Sequence, residues 1–295
     1  MADHAVVRDV FNRLEPFTSP AGSEGFEVAT LVDRATGSHH VELAVCRLAP
    51  GGHVGGHLHP FEESFFMFEG DVVLTIDRDH HAISANDFGF VPVSAPHGWR
   101  NVGDEPAVWY RIRSPQPRRV GPAQGTFPVP DLDLAAVGRA PRETHPLSRN
   151  VGRFAESDLP APGPLTMPGA HGHNIRDVAV RMMVDDVLGS VHHQMFMVQF
   201  EPSAEDRFSG SAHYHDFEEA YFVVSGRGEV ELEGERFMTS AGDLVWEATG
   251  IMHAWRAVGD EPLRFIELMA PRPPYTNMLF SEATWAELGE DTLGD

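Results

Sequence analysis

The 295-residue sequence has no lysine; its 22 basic residues are all arginine. Apart from the terminal amine, this excludes a Schiff base or a catalytic lysine. Cysteine occurs once, as Cys46, so no internal disulfide can form, and within the strand-like run VELAVCRL it reads as a buried structural thiol. Hydrophobic residues make up 42% of the chain, an ordinary share for a globular protein. No run approaches the ~18 apolar residues of a membrane helix. Positive charge is scarce: 44 acidic residues outweigh the basic ones to leave a net charge of −22. That balance suits solubility and works against phosphate backbones and anionic lipid, so neither a nucleic-acid nor a membrane partner is expected. The opening segment MADHAVVRDVFNRLE is charged throughout and lacks the apolar stretch of a signal peptide, so a cytoplasmic protein is expected.

What the chain does contain is a duplication. His57, His59, Glu63 and His97 recur as His213, His215, Glu219 and His253, each 156 residues on. Between 57 and 106, 18 of 50 positions match their partner at that offset, where composition alone gives roughly three. HLHPFEE answers HYHDFEE, HGWR answers HAWR, and VGDEP recurs whole. Two repeats of this size are too long and too few for a solenoid, so each is read as a domain.

Both repeats consist of short runs rich in β-branched and aromatic residues and bounded by Gly, Pro or Asp, among them SFFMFEG, DVVLTID, MFMVQF and AYFVVSG. Such runs predict an all-β fold, an antiparallel sandwich or barrel in each repeat, and amphipathic helical patterns are missing. Residues 114–170 carry 11 of the 23 prolines, which makes this an extended connector with a short helix suggested near 131–138. The expected organisation is a first domain over 1–115, a connector over 116–175, a second domain over 176–275 and a tail over 276–295. Ser281 followed by ATWAEL suggests a short capped helix in that tail.

Residues two apart on a strand share a face, so His57 and His59 can chelate one ion from one strand end. Three neutral imidazoles and a carboxylate leave a divalent metal with a net charge near +1, and in octahedral geometry two positions stay open, as a catalytic centre requires. The metal-ligand sets are therefore His57, His59, Glu63 and His97, and His213, His215, Glu219 and His253. Glu63 and Glu219 are also candidate catalytic groups. Gly70 and Gly226 fall where a tight turn ends the strand that begins at the carboxylate. Trp99 and Trp255 lie two residues beyond a ligand, and Phe65, Met67 and Tyr221 share the parity of the carboxylates. These five are candidate substrate contacts, as well as core candidates. Tyr214 and Arg207 are further polar candidates for the second site. His171 and His173 repeat the HxH spacing but lack a following glutamate, which leaves them outside the metal reading.

The spacing Gly51-x5-His57-x-His59-x3-Glu63-x6-Gly70, followed by Pro92-x-Ser94-x2-His97-x3-Asn101, resembles the two motifs of the cupin superfamily. With the second set, the chain resembles a bicupin over about 25–113 and 178–270. It departs from the family pattern at Asn86, Ser94, Ala248 and Ala257, none of which is a ligand. The resemblance implies a double-stranded β-helix jelly roll in each domain, one divalent metal per domain and a homo-oligomer of two or more chains. Cupins span many chemistries, so the activity rests on the site. Three residues separate the second histidine from the glutamate, against four in the oxalate-oxidase and oxalate-decarboxylase type, and with the aromatic flanks this counts against a small dicarboxylate substrate. The leading expectation is an Fe2+ dioxygenase acting on a small aromatic or enol-bearing molecule. The alternatives are a redox-neutral hydrolase, lyase or isomerase using Mn2+, Ni2+ or Zn2+, similar to bicupin ureidoglycine aminohydrolases, and a non-catalytic small-molecule-binding cupin.

Overall fold

Alternation of apolar and polar side chains turns one face of each strand inward, and closing such strands on themselves removes exposed sheet edges. The computed structural model describes residues 4–118, 125–135, 137–138, 150–165, 175–202, 208–210, 212–272 and 280–281. Among these residues the regular elements are strands and two short 3-10 turns, Val10–Arg13 and Glu156–Asp158. No described helix is long and apolar enough to cross a membrane. The chain forms two double-stranded β-helix jelly rolls. One compact unit comprises Val10–Glu156 with Met183–His192, and the other Met1–Asp9, Ser157–Met182 and His193–Asp295.

The first unit is an eleven-stranded sheet, with its main path in the order Val151–Arg153, Asp87–Val91, Glu62–Glu69, Ala107–Ser114, Glu42–Leu58, His97–Asn101, Val72–Ile76, Asp79–Ile83. The strand Glu42–Leu58 carries the sheet around the barrel. Its first half pairs with Ala107–Ser114 and its second half with His97–Asn101, where His57 faces His97 in register. The interior is filled by Phe26, Cys46, Leu48, Phe65, Met67, Leu74, Trp99 and Trp109. Phe26, Trp109 and Trp99 stack in sequence at centroid distances of 5.9 and 5.0 Å, and each such ring contributes roughly 2–3 kcal/mol by leaving water.

The second unit has a seven-stranded sheet in the order His4–Val7, Leu244–Glu247, Glu218–Ser225, Leu263–Ala270, Gln194–Phe200, Ile175–Val184, Gly163–Leu165. A five-stranded sheet completes it, ordered Glu235–Ser240, Arg227–Leu232, His253–Ala257, His213–Tyr214, Phe280–Ser281. Phe196, Val198, Tyr221, Val230, Trp255 and Phe265 form its core. His213 faces His253 in register, as His57 faces His97.

Each barrel is closed by a strand from a distant part of the chain, fixed by an arginine. Val151–Arg153 pairs with Asp87–Val91, and the Arg153 guanidinium donates to both oxygens of buried Asp87, at 2.6 and 3.0 Å. In the second unit His4–Val7 pairs with Leu244–Glu247, and Arg8 Nη1 donates to Asp243 Oδ2 at 2.8 Å. Asp87 and Asp243 are 156 residues apart, so the two closures are equivalent. Gly70 and Gly226 end the carboxylate-bearing strands at φ of +82° and +76°. A Cβ there would lie 2.5 Å from Ala107 Cα and 2.2 Å from Pro262 O, so glycine is required for the turn and for the close approach.

The described residues of 131–138 form a turn and extended chain in place of the expected helix. Here the backbone is tied to the barrel wall: Val129 N–H donates to Gly56 O at 2.7 Å and Leu132 N–H donates to Val129 O at 3.2 Å. Leu132 and Leu134 cover the bare backbone of Gly56 and Gly98, the neighbours of His57 and His97. The helix expected in the tail, together with His171, His173 and Arg207, lies outside the described residues. The described pair Phe280–Ser281 is a strand on His213–Tyr214.

Candidate metal centres

The three histidines of each repeat converge. In the first barrel, one ligand atom from each of His57, His59 and His97 lies within 4.8 Å of the others, and the same holds for His213, His215 and His253 in the second. Donors sharing one ion at ~2.1 Å each are at most ~4.2 Å apart. The rings are held by the backbone. Nδ1–H donates to a carbonyl in His57 (Gly55, 2.8 Å), His59 (Phe61, 2.7 Å), His97 (Ala95, 3.0 Å) and His253 (Ile251, 3.1 Å). A carbonyl only accepts, so the proton must sit on Nδ1 and a neutral ring presents its lone pair at Nε2. Phe61 stacks on His59 at 4.0 Å and Phe217 on His215 at 4.5 Å, fixing the ring planes.

Burial keeps most of these rings neutral. Desolvation, then the neighbouring His97, pushes His57 down to about 3, and desolvation, then His59, pushes His97 down to about 4. His59 is lowered by burial too, and His215 falls to about 2 through burial and then His213 and His253. The Nε2 atoms of His59, His97 and His215 are buried without a hydrogen-bond partner. Buried acceptors in that condition fit a divalent cation.

The carboxylates behave differently in the two barrels. Glu63 lies 3.6 Å from His59 Nε2, but its Oε2 accepts from Arg113 Nε at 2.7 Å, its cross-strand partner. Burial works to raise its pKa, yet the Arg113 guanidinium and then His59 hold it well below the usual range. Arg113 and Arg111 also engage Glu42, at 3.3 and 3.5 Å. In the second barrel the position of Arg113 is taken by Met269 and that of Val91 by Glu247. Glu219 Oε2 lies 3.5 Å from His215 Nε2 and 3.3 Å from His253 Nε2. Glu247 Oε1 lies 2.9 Å from His253 Nδ1, on the far side of that ring. His253 is raised because Glu247 outweighs burial. The Tyr221 hydroxyl is 2.9 Å from Glu219 and 3.0 Å from Glu247, and its single proton serves one of them at a time. Burial, then Glu267 and Glu247, pushes Glu219 well up, and burial, then Glu247, pushes Glu267 up to about 8.

A cavity opens on each triad. The first, about 180 Å³, is lined by His57, Glu63, Trp99, Trp109, Arg111 and Arg113 among others. The second, about 260 Å³, is more apolar, with Phe196, Phe200, Tyr221, Trp255, Phe265 and Met269 around His213, Glu219 and His253. Trp99, Trp255 and Tyr221 therefore face the cavities, whereas Phe65 and Met67 are buried in the core, Phe65 edge-on to Trp99 at 5.0 Å. Arg111, Arg113, Glu247 and Glu267 were not among the residues selected by motif. Arg111 and Arg113 share the parity of an inward face, and Glu247 stands where the first repeat has valine, so repeat alignment could have marked it.

Comparison with known proteins agrees with this geometry: the family described as Cupin domain matches residues 44–113 and 196–269. The chain belongs to the cupin superfamily, with two cupin domains in tandem. It is 29% identical over 90 residues to the polyketide synthase CurC of Streptomyces cyaneus, a match covering 30% of this chain and 58% of the relative. It is 39% identical over 51 residues to a 5-nitrosalicylic acid 1,2-dioxygenase of Bradyrhizobium sp, covering 17% and 25%. The cupin chain thus spans less than two thirds of these relatives. The salicylate 1,2-dioxygenase of Pseudoaminobacter salicylatoxidans, bound to gentisate, superposes with a TM-score of 0.67 at 16% identity, covering 87% of this chain and 77% of that one. The oxalate decarboxylase of Lactobacillus farciminis superposes at 0.61 and 18%, covering 94% and 88%. At these identities the superpositions establish fold alone.

Proposed function

We propose that this bicupin is a metal-dependent dioxygenase acting on a small aromatic or enol-bearing molecule. His57, His59 and His97, and His213, His215 and His253, would hold one divalent metal per barrel, Fe2+ by preference, with Glu63 and Glu219 as the adjoining carboxylates. The observation that carries the reading is the set of buried neutral imidazoles, several with lone pairs unsatisfied by protein, opening onto cavities walled by aromatic rings. When bound, such a metal supplies the electron transfer that dioxygen chemistry needs.

The chain's own residues do the rest. Backbone carbonyls fix the tautomers of His57, His59, His97 and His253. Trp255, Tyr221, Phe196 and Phe265 offer flat apolar surfaces that orient a planar substrate and exclude water from the second centre. In the first cavity Arg111 and Arg113 place positive charge against substrate oxygen. That polar lining favours a second reading for the first barrel, a redox-neutral reaction in which Mn2+, Ni2+ or Zn2+ acts as a Lewis acid.

The test is oxygen uptake by protein loaded anaerobically with Fe2+, against a panel of phenols, hydroxybenzoates and enols. Dioxygen consumption matched to product, lost on Zn2+ substitution, is expected because Zn2+ has no redox chemistry. Turnover equal with Zn2+ and without oxygen would refute the dioxygenase reading and leave the Lewis-acid one.

A further inference from the structure

The two centres share their histidines but not what surrounds them. Aligned at the 156-residue offset, three positions near the centres differ in charge: Arg113 against Met269 and Arg111 against Glu267 in the cavity walls, and Val91 against Glu247 on the neighbouring strand. The register makes two of these pairs direct neighbours of the carboxylates, while Arg111 and Glu267 stand opposite Phe65 and Tyr221. Glu63 pairs with Arg113 on one side and Val91 on the other, whereas Glu219 pairs with Met269 and Glu247.

We propose that the two metal centres are chemically unequal: Arg113 holds Glu63 out of coordination and leaves a three-imidazole centre in the first barrel, while Glu219 ligates in the second and Glu247 reinforces it through His253. This rests on the metal-centre reading above and goes beyond it in assigning the carboxylates different parts. In the first barrel Glu63 Oε2 is bound at 2.7 Å by Arg113, and both side chains are largely sequestered from water. Charge-assisted pairs of this kind are strong in a dry site, and the guanidinium itself repels an arriving cation. Coordination through that oxygen would break the pair. Glu63 neutralised by Arg113 therefore contributes little net attraction for a divalent ion.

The second barrel has the reverse arrangement. Among the described residues lining its cavity none is an arginine, and with Met269 in place of a guanidinium Glu219 Oε2 faces the Nε2 atoms of His215 and His253 and takes only the neutral Tyr221 hydroxyl, at 2.9 Å, as donor. Glu247 approaches His253 from the opposite ring edge, its Oε1 2.9 Å from Nδ1, whose one proton it shares with Ile251 O. A carboxylate in that position orients the ring and makes Nε2 a better donor, and removing such a partner weakens metal affinity about 10- to 100-fold. Glu247 is thus a positioning residue acting through His253, with no counterpart at Val91. The second centre should bind the same divalent ion more tightly than the first.

The experiment is a Co2+ titration of the full chain against a competing chelator, with the visible absorption of Co2+ as a second readout of ligand set. Two classes of site are expected, the weaker lost in His97→Ala and the tighter in His253→Ala. Glu63→Gln should weaken the weaker constant by only about a few-fold, through an Arg113 guanidinium then paired by Glu42 alone at 3.3 Å, and leave its spectrum unchanged, whereas Glu219→Gln should weaken the tighter one about ten-fold or more and shift its spectrum. Glu247→Gln should weaken the tighter class about 10- to 100-fold. Glu63→Gln keeps shape and a hydrogen bond to Arg113, so misfolding does not confuse the result, and circular dichroism checks it. Equal losses from Glu63→Gln and Glu219→Gln would overturn the inference while leaving two metal centres standing. So would a single class of site or the reverse order of affinity. No Co2+ in either barrel would overturn this inference and the proposed function together.

Discussion

Glu62 provides the sharpest test of how the first centre is held. It stands one residue before Glu63 on the same strand, so the two point to opposite sides of the sheet. Glu63 faces the histidines, and Glu62 accepts three hydrogen bonds from the segment Met183–His192. Ser190 Oγ–H and His192 N–H donate to Oε2 at 2.8 and 3.1 Å, and Val191 N–H donates to Oε1 at 2.8 Å. Hydrogen bonds to a charged group count for ~1.5–3 kcal/mol each, but three on one carboxylate are not additive. Val191 is 63% exposed, so its freed N–H is rehydrated at little cost. We therefore place the loss in Glu62→Ala at ~2–4 kcal/mol. The assay is hydrogen exchange read by mass spectrometry on peptides covering 183–192. At ~1.4 kcal/mol per decade, protection should fall roughly 30- to 700-fold. Glu62→Gln, which keeps one acceptor, should fall about half as far in free energy. Affinity of the first centre for Co2+ should drop as the strand loosens, and that of the second should not. Unchanged exchange over 183–192 in Glu62→Ala would refute the reasoning.

Two further outcomes follow from burial. Desolvation raises the Cys46 thiol to about 11, so at pH 8 only about one thiol in a thousand is ionised and native protein should resist maleimide and disulfide reagents until unfolded. Because the unfolded thiol ionises from its ordinary 9.0 while the folded one does not, its contribution to stability is full below pH 9 and declines as pH rises from 9 towards 11. Rapid native labelling at pH 8 would show that the thiol is reached by solvent. Trp99→Phe and Trp255→Phe keep most of the core volume, so in whichever barrel is active the change should raise KM by about ten-fold with kcat little altered; a fall in kcat at constant KM would place the ring in the chemistry instead.

The clustering of the histidines was legible from sequence because residues two apart at a strand end share a face and the same spacing recurs 156 residues on. The β class was legible for a similar reason, since short β-branched runs between turn residues have few other ways to fold. What was not legible lies where information is carried by register. Arg113 is 50 residues from Glu63 in sequence, and only the pairing of Glu62–Glu69 with Ala107–Ser114 makes them neighbours. The closing strand His4–Val7 has no motif, and nothing in four residues announces a partner at Leu244–Glu247. The helix suggested near 131–138 is replaced by a turn from which Leu132 and Leu134 pack over Gly56 and Gly98, a contact that no local pattern announces.

The repeat comparison itself separates what the fold demands from what each site does. Elements equal in both copies are of two kinds: Gly70 and Gly226, Asp87 and Asp243 serve the barrel, and the histidines serve the proposed metal centres. Positions beside the carboxylates that differ in charge are not dictated by the shared fold, because a guanidinium and a thioether, or a valine and a carboxylate, carry different desolvation costs at one place. Arg113 against Met269 and Val91 against Glu247 are such positions. A duplicated chain that keeps both ligand sets and changes the charge beside them has the means to give its two centres different affinities and different substrates, and the carboxylate variants decide whether it does so.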